Sequence, residues 1–183
     1  MKKPLEILAP AGSTQALEAA LCCGADAVYL GIETLNARRN AENFTSENLA
    51  ETVRRCHIHG TKVYLTLNIV VLENEIGERL RAASCACEAG VDAVIVQDLG
   101  VAAILHRCCP QLKPNASTQM GIHNVEGAKM LEKLGFSRVV LARECSKEEI
   151  AKIVRETSLE VEVFVHGALC MCVSGPCYMS SVL

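Results

Sequence analysis

The densest chemistry in the chain lies in residues 163–183, VFVHGALCMCVSGPCYMSSVL. His166 precedes Cys170, Cys172 and Cys177, which are spaced C-x-C-x4-C. Gly175 and Pro176 break any helix there, so the cysteines belong to a loop. Thiolates on such a loop suit a soft metal or an iron–sulfur cluster. A site of that kind takes about four ligands, and this stretch offers at most three. Mononuclear zinc is the alternative ion; redox-active or spare thiols are the alternative without a metal. His166 and Cys170 also form a candidate imidazole–thiol pair.

The remaining cysteines read differently. The chain has 11 in 183 residues, an odd number. The N-terminus, MKKPLEILAPAG, has only a short apolar stretch broken by Pro10, so no export signal is expected. A disulfide framework is therefore not expected, and the protein is placed in the reducing cytoplasm. Cys22, Cys23, Cys56, Cys85, Cys87, Cys108, Cys109 and Cys145 are read as small packed hydrophobes. Cys56 extends a Leu49, Val53 stripe, Cys87 follows Ile76, Leu80 and Ala83, and Cys108 follows Val101, Ile104 and Leu105. Each fits the period of a buried helix face. Half of the residues are apolar and the net charge is −3, which describes a globular chain without a basic footprint for nucleic acid. No apolar run approaches the length of a membrane span.

The elements that must position these groups alternate. Strands are expected at 5–10, 27–31, 62–68, 93–98, 113–117, 138–144 and 160–166. Helices are expected at 14–23, 46–59, 74–89, 101–109, 124–134 and 146–156. Ser46 or Thr45 opens the second helix, and Ser146 with Glu149 forms a capping box at the last. One phrase recurs: GADAVYLG at 24–31, GVDAVIVQ at 90–97 and, more loosely, GFSRVVLA at 135–142. Each copy reads as a helix-ending glycine, a short turn and a β-branched strand. Helices between successive strands force parallel pairing. No GxGxxG loop follows the first strand, which favours a (β/α)8 TIM-barrel type over a dinucleotide-binding sheet. A full barrel has eight strands and about 250 residues. Seven βα units are expected here, an incomplete barrel. Residues 1–183 are read as the N-terminal segment of a longer domain, cut before the eighth strand and further cysteines. Strands one and seven then have unpaired edges, which favours a homo- or heterodimer.

In a parallel barrel the active site lies where the strands end. Those ends carry Pro10, Gly12 and Ser13; Arg38, Arg39 and Asn43; Thr66 and Asn68; Gln97 and Asp98; Ser117, Thr118 and Gln119; Arg143 and Glu144; and His166. Ordinary helix capping accounts for any one of them. As a ring they suit a small anion, with Arg39 or Arg143 pairing its carboxylate. Arg39, Asn43, Asn68, Ser117, Gln119 and Arg143 are the substrate-binding candidates. Asp98, Glu144 and His166 are the catalytic candidates, Asp98 and Glu144 as an acid–base pair if the fold joins them. Neither HExxH nor GxSxG occurs.

The stretches EILAPAGS (6–13), GADAVYLG (24–31), ARRNAENF (37–44), HGTKVYLTLN (59–68), VDAVIVQDLG (91–100), STQM (117–120), RVVLARE (138–144) and EVFVHGALCMCVSGPCYMSS (162–181) resemble the collagenase-like peptidases, peptidase family U32. The likeness covers essentially the whole chain, and the last stretch is the family signature. It implies a barrel and, despite the family name, oxygen-independent hydroxylation. The substrates implied are transfer RNA uridine, ribosomal RNA cytidine or a quinone precursor, and the RNA-directed members depend on prephenate. It also implies a 4Fe–4S cluster, with Cys170 and Cys177 as two ligands and the other two past residue 183. Cys172 falls outside that ligand pattern, and Val173 and Pro176 depart from the family's commoner residues. Arg143, Asn68 and Gln119 are the expected donors to a prephenate-like dicarboxylate. Peptide hydrolysis, or a non-catalytic metal-binding partner subunit, are the alternatives.

Overall fold

The computed structural model describes residues 5–32, 44–167 and 172–175. Seven strands and six helices alternate among them: β1 (Leu8–Pro10), α1 (Thr14–Cys22), β2 (Ala27–Gly31), α2 (Ser46–Ile58), β3 (Lys62–Leu67), α3 (Ile76–Ala89), β4 (Ala93–Val96), α4 (Leu99–Cys108), β5 (Lys113–Ala116), α5 (Val125–Lys133), β6 (Arg138–Val140), α6 (Lys147–Glu156) and β7 (Glu160–Glu162). Two 3-10 turns, Glu73–Glu75 and Thr118–Met120, precede α3 and α5. The chain divides into two compact units, residues 1–113 and 114–183. In the first, β1 pairs with β2, β2 with β3 and β3 with β4, all in parallel. In the second, β5 pairs with β6 and β6 with β7, again in parallel. A helix after every strand but the last makes this the expected α/β pattern of repeated βα units.

The alternating faces of the strands divide the first unit's core. Val28, Val63, Leu65, Val94 and Val96 are fully buried on one face. The helices bury Leu17 and Leu21 (α1), Leu49, Val53 and Cys56 (α2), Ala83 and Ala86 (α3) and Val101 and Leu105 (α4). Each fully buried valine or leucine is worth roughly 1.5–3 kcal/mol. The opposite face gathers Ala27, Tyr64, Ala93 and Ile95, with Leu8 and Tyr29 packed against them.

The recurring glycine phrase has a common hydrogen-bond scheme. Gly24, Gly60, Gly90 and Gly135 all have positive φ. Each glycine N–H donates to a carbonyl three residues back, and the next N–H donates to one five residues back. This double bond pattern closes the helix and turns the chain. The residue after each glycine, Ala25, Thr61, Val91 or Phe136, is buried. The aspartate of the phrase then reaches the preceding strand. Asp26 Oδ2 accepts from Ile7 N at 2.8 Å, and Asp92 Oδ2 accepts from Val63 N at 2.8 Å. Asp92 Oδ2 also lies 2.9 Å from His57 Nε2. The 60–63 joint, which lacks the aspartate, uses Thr61 Oγ1 to donate to Ala25 O.

Three expectations change. Cys108 is exposed and Cys109 is buried, because the buried stripe of α4 runs Val101, Ala102, Leu105 and then Cys109. Cys22 and Cys23 are also exposed rather than packed. The seventh strand ends at Glu162, short of His166. Val163, Phe164 and Val165 have strand-like composition, but they lie outside the ladder and are exposed. Cys56 and Cys87 do behave as packed thiols. Burial pushes each up to about 11, with Glu88 and a hydrogen bond to Cys109 adding to the rise at Cys87.

The joint yields a direct test. A Cβ on Gly90 meets open space, so Gly90→Ala adds only the strain of φ +78°. Its expected cost is roughly 1–2 kcal/mol. Urea unfolding should show a lower midpoint at unchanged slope; an unchanged midpoint contradicts the joint's role.

Candidate functional site

In the first unit the polar strand ends are largely engaged by backbone. Ser13 Oγ accepts from Ala16 N at 3.1 Å and caps α1. Thr66 is buried and its hydroxyl donates to Leu30 O at 3.0 Å. Asp98 caps α4 through Oδ1, which accepts from Val101 N at 3.0 Å. Its other oxygen accepts from Val71 N at 3.2 Å and fixes the loop that follows β3. Both oxygens of this catalytic candidate therefore hold main-chain N–H groups. Asn68 and Gln97 are half-buried beside these ends. Arg38, Arg39 and Asn43 lie outside the described residues.

In the second unit the polar ends meet the cysteine segment. Ser117 is buried and caps the turn Thr118–Met120, its Oγ accepting from Gln119 N at 3.2 Å. Thr118 Oγ1 donates to Leu141 O at 3.3 Å, and Ala142 N donates to Ile122 O at 2.9 Å. These bonds seat the 117–122 turn against the end of β6. Across that end lies Cys172–Gly175, the described part of the cysteine segment. Ser174 is only 3% exposed, although Val173 beside it is 67% exposed. Ser174 Oγ accepts from Arg143 N and from Arg143 Nε, each at 3.1 Å. Ser174 N donates to Glu144 Oε1 at 2.8 Å, and Arg143 Nη2 donates to Cys172 O at 3.4 Å.

The segment also rests on the turn. Gly175 has φ +105°, and a Cβ there would come within 2.9 Å of Gln119 O. A Cβ on Gly121 would come within 3.4 Å of Ser174 O. Close backbone approach accounts for Gly175, and the left-handed turn at φ +65° for Gly121. The side-chain Oε1 of Gln119 is buried without a hydrogen-bond partner.

Electrostatics follow this geometry. Glu144 is held below the ordinary carboxylate range, chiefly by the Ser174 N–H, with its own N–H, the Ser174 hydroxyl and the Arg143 charge adding to the effect. The carboxylate is therefore ionised at neutral pH. Burial pushes the neighbouring Cys145 thiol up, with Glu149 and Glu144 reinforcing it, so that thiol stays protonated.

Two sequence-derived candidates, Arg143 and Glu144, are thus brought together on the cysteine segment. Gln119 contributes the floor beneath Gly175, and Ser117 shapes the turn. His166 is exposed beyond the end of β7. Cys170 and Cys177 lie outside the described residues, so their ligand role rests on the resemblance. No group of three or more metal-ligating side chains occurs among the described residues. Sequence reasoning missed Ser174. Its only signal was a small polar residue between two cysteines.

The comparisons place this geometry in a family. The family model described as "Peptidase family U32" matches residues 12–183. The chain belongs to peptidase family U32. Similar relatives include the "23S rRNA 5-hydroxycytidine C2501 synthase" of Escherichia coli, strain K12, at 42% identity over 96% of this chain and 26% of that protein. Another is the "tRNA hydroxylation protein P1" of Bacillus subtilis, strain 168, at 37% identity over 98% of this chain and 42% of that protein. The chain thus spans less than half the length of these U32 relatives. A solved structure titled "The Structure of the U32 Peptidase Mk0906" aligns at TM-score 0.67 and 16% identity, covering 89% of this chain and 70% of that one. It supports the fold, the incomplete (β/α)8-type barrel of about seven βα units.

The depressed Glu144 makes a titration prediction. A carboxylate with a lowered folded value stabilises its contacts above its unfolded value, about 4.3, and loses that contribution as pH falls through the lower folded value. The Ser174 amide resonance is expected to titrate with a midpoint below that ordinary carboxylate value. A midpoint at or above it contradicts the contact.

Proposed function

We propose that the full-length protein carries out oxygen-independent, iron–sulfur-dependent hydroxylation of RNA. The substrate is ribosomal RNA cytidine or transfer RNA uridine, with prephenate as the small anionic co-substrate. The observation that carries this reading is the 42% identity, over nearly the whole chain, to a protein named for 5-hydroxycytidine synthesis. A relative named for tRNA hydroxylation supports the same reaction class. A quinone precursor is the remaining substrate class within the hydroxylation reading.

The donor chemistry fits a cluster. Cysteine thiolates are the usual ligands of 4Fe–4S clusters, and Cys170 and Cys177 flank a segment seated at a barrel strand end, where active sites of this fold lie. When bound, a 4Fe–4S cluster supplies one-electron chemistry. We assign Cys170 and Cys177 as two of its ligands, with two more from residues past 183; zinc is the alternative occupant. Arg39, Asn43, Asn68, Ser117 and Gln119 remain the proposed contacts to the anion, whereas Arg143 is engaged with Ser174 and Cys172. The protein is proposed to act in the cytoplasm, as a homo- or heterodimer. No described helix is long and apolar enough to cross a membrane.

Peptide hydrolysis is the second reading, favoured by the family's description. The carboxylates offered for it have other work. Asp98 holds two backbone N–H groups, and Glu144 holds Ser174.

The test is nucleoside mass spectrometry of ribosomal and transfer RNA. Cells lacking the gene are compared with cells carrying the full-length gene or its Cys170→Ser form. A hydroxylated cytidine or uridine should disappear in the deletion, return with the wild type and stay absent with Cys170→Ser. Unchanged RNA in every strain, with gelatin cleaved by the purified protein, favours the peptidase reading.

A further inference from the structure

Arg143 and Glu144, a substrate-binding and a catalytic candidate, lie just past β6. The contacts they make point elsewhere. Four residues, Cys172–Gly175, receive three separate kinds of restraint. Arg143 donates to Ser174 Oγ from both its main-chain N and its Nε, and to Cys172 O from Nη2. Glu144 Oε1 accepts the Ser174 N–H at 2.8 Å. Gly175 lies on the backbone of the 119–121 turn with no room for a side chain.

The burial pattern gives this arrangement its direction. Arg143 and Glu144 are exposed, whereas Ser174 is buried. A buried hydroxyl and N–H must be paired, because an unmade hydrogen bond there costs the full desolvation of the group. The exposed charges supply those partners, and charge-assisted bonds are the stronger kind. Adjacent opposite charges also leave the clamp neutral overall.

We propose that Arg143 and Glu144 are positioning residues for Cys172–Gly175, holding Ser174 so that this part of the cysteine segment is fixed by the chain's own contacts. The importance of this for a cluster rests on the reading above; the ordering itself does not. Pre-ordering reduces the entropy that a metal must overcome when it gathers its ligands.

Hydrogen exchange on the full-length protein, prepared free of iron, tests the proposal. The Ser174 amide of the wild type is expected to exchange at least about tenfold more slowly than an unstructured amide. Ser174→Ala and Glu144→Ala should each remove that protection, and Glu144→Gln, which keeps an acceptor oxygen, should restore part of it. Glu148→Gln, on the exposed side of α6, should leave it unchanged. The urea midpoint should stay the same throughout, which separates a local release from global unfolding. An unprotected wild-type amide, or protection that survives both alanine variants, overturns the proposal. Iron content, measured separately on the anaerobically purified protein, reports on the cluster. Protection without iron would sink the cluster reading and leave the clamp standing.

Discussion

A parallel strand that leaves a helix inherits two debts at once. The helix ends with carbonyls that have no partner, and the strand begins with backbone groups that must find a neighbour. In this protein both are met within five residues. The glycine takes a left-handed turn, its own N–H and the next one return to the helix, and an aspartate reaches across to the previous strand. Asp26 serves β1 in this way and Asp92 serves β3. Every later feature of the first unit depends on that repeat, because it sets where each strand starts and which of its residues face the helices.

The opposite ends of the strands obey the same rule with different residues. Ser13, Asp98 and Ser117 cap the turns and helices that follow β1, β4 and β5. In each unit these polar strand-end residues therefore serve the backbone before they serve a ligand. The end of β6 departs from this pattern. Arg143 and Glu144 direct their side chains to a segment about thirty positions later in the chain, and so join the strand end to the cysteines of the family signature.

Much of this was legible in the sequence. The glycine phrase revealed the βα repeat, since a left-handed turn before a β-branched run has few other readings. The capping box of Ser146 and Glu149 is present as expected, and Thr45 rather than Ser46 caps α2, with Asn48 completing the box. Errors arose where a tertiary neighbour decides the outcome. The run 163–165 has strand composition, but a strand needs a paired neighbour and the ladder stops at Glu162. Cys108 fits a helical stripe on paper, but the stripe that tertiary packing buries in α4 runs Val101, Ala102, Leu105 and on to Cys109. Ser174 was illegible because its partners are remote in sequence and its residue type is common in loops.

The proposed function rests on a metal cluster held by the cysteines on either side of Cys172–Gly175. It is tested most directly by measuring iron and acid-labile sulfide per chain on the full-length protein purified without oxygen. About four of each, lost when Cys170 or Cys177 is replaced by serine, is the result expected for a 4Fe–4S site. An intact, folded protein that holds neither iron nor sulfide would contradict it.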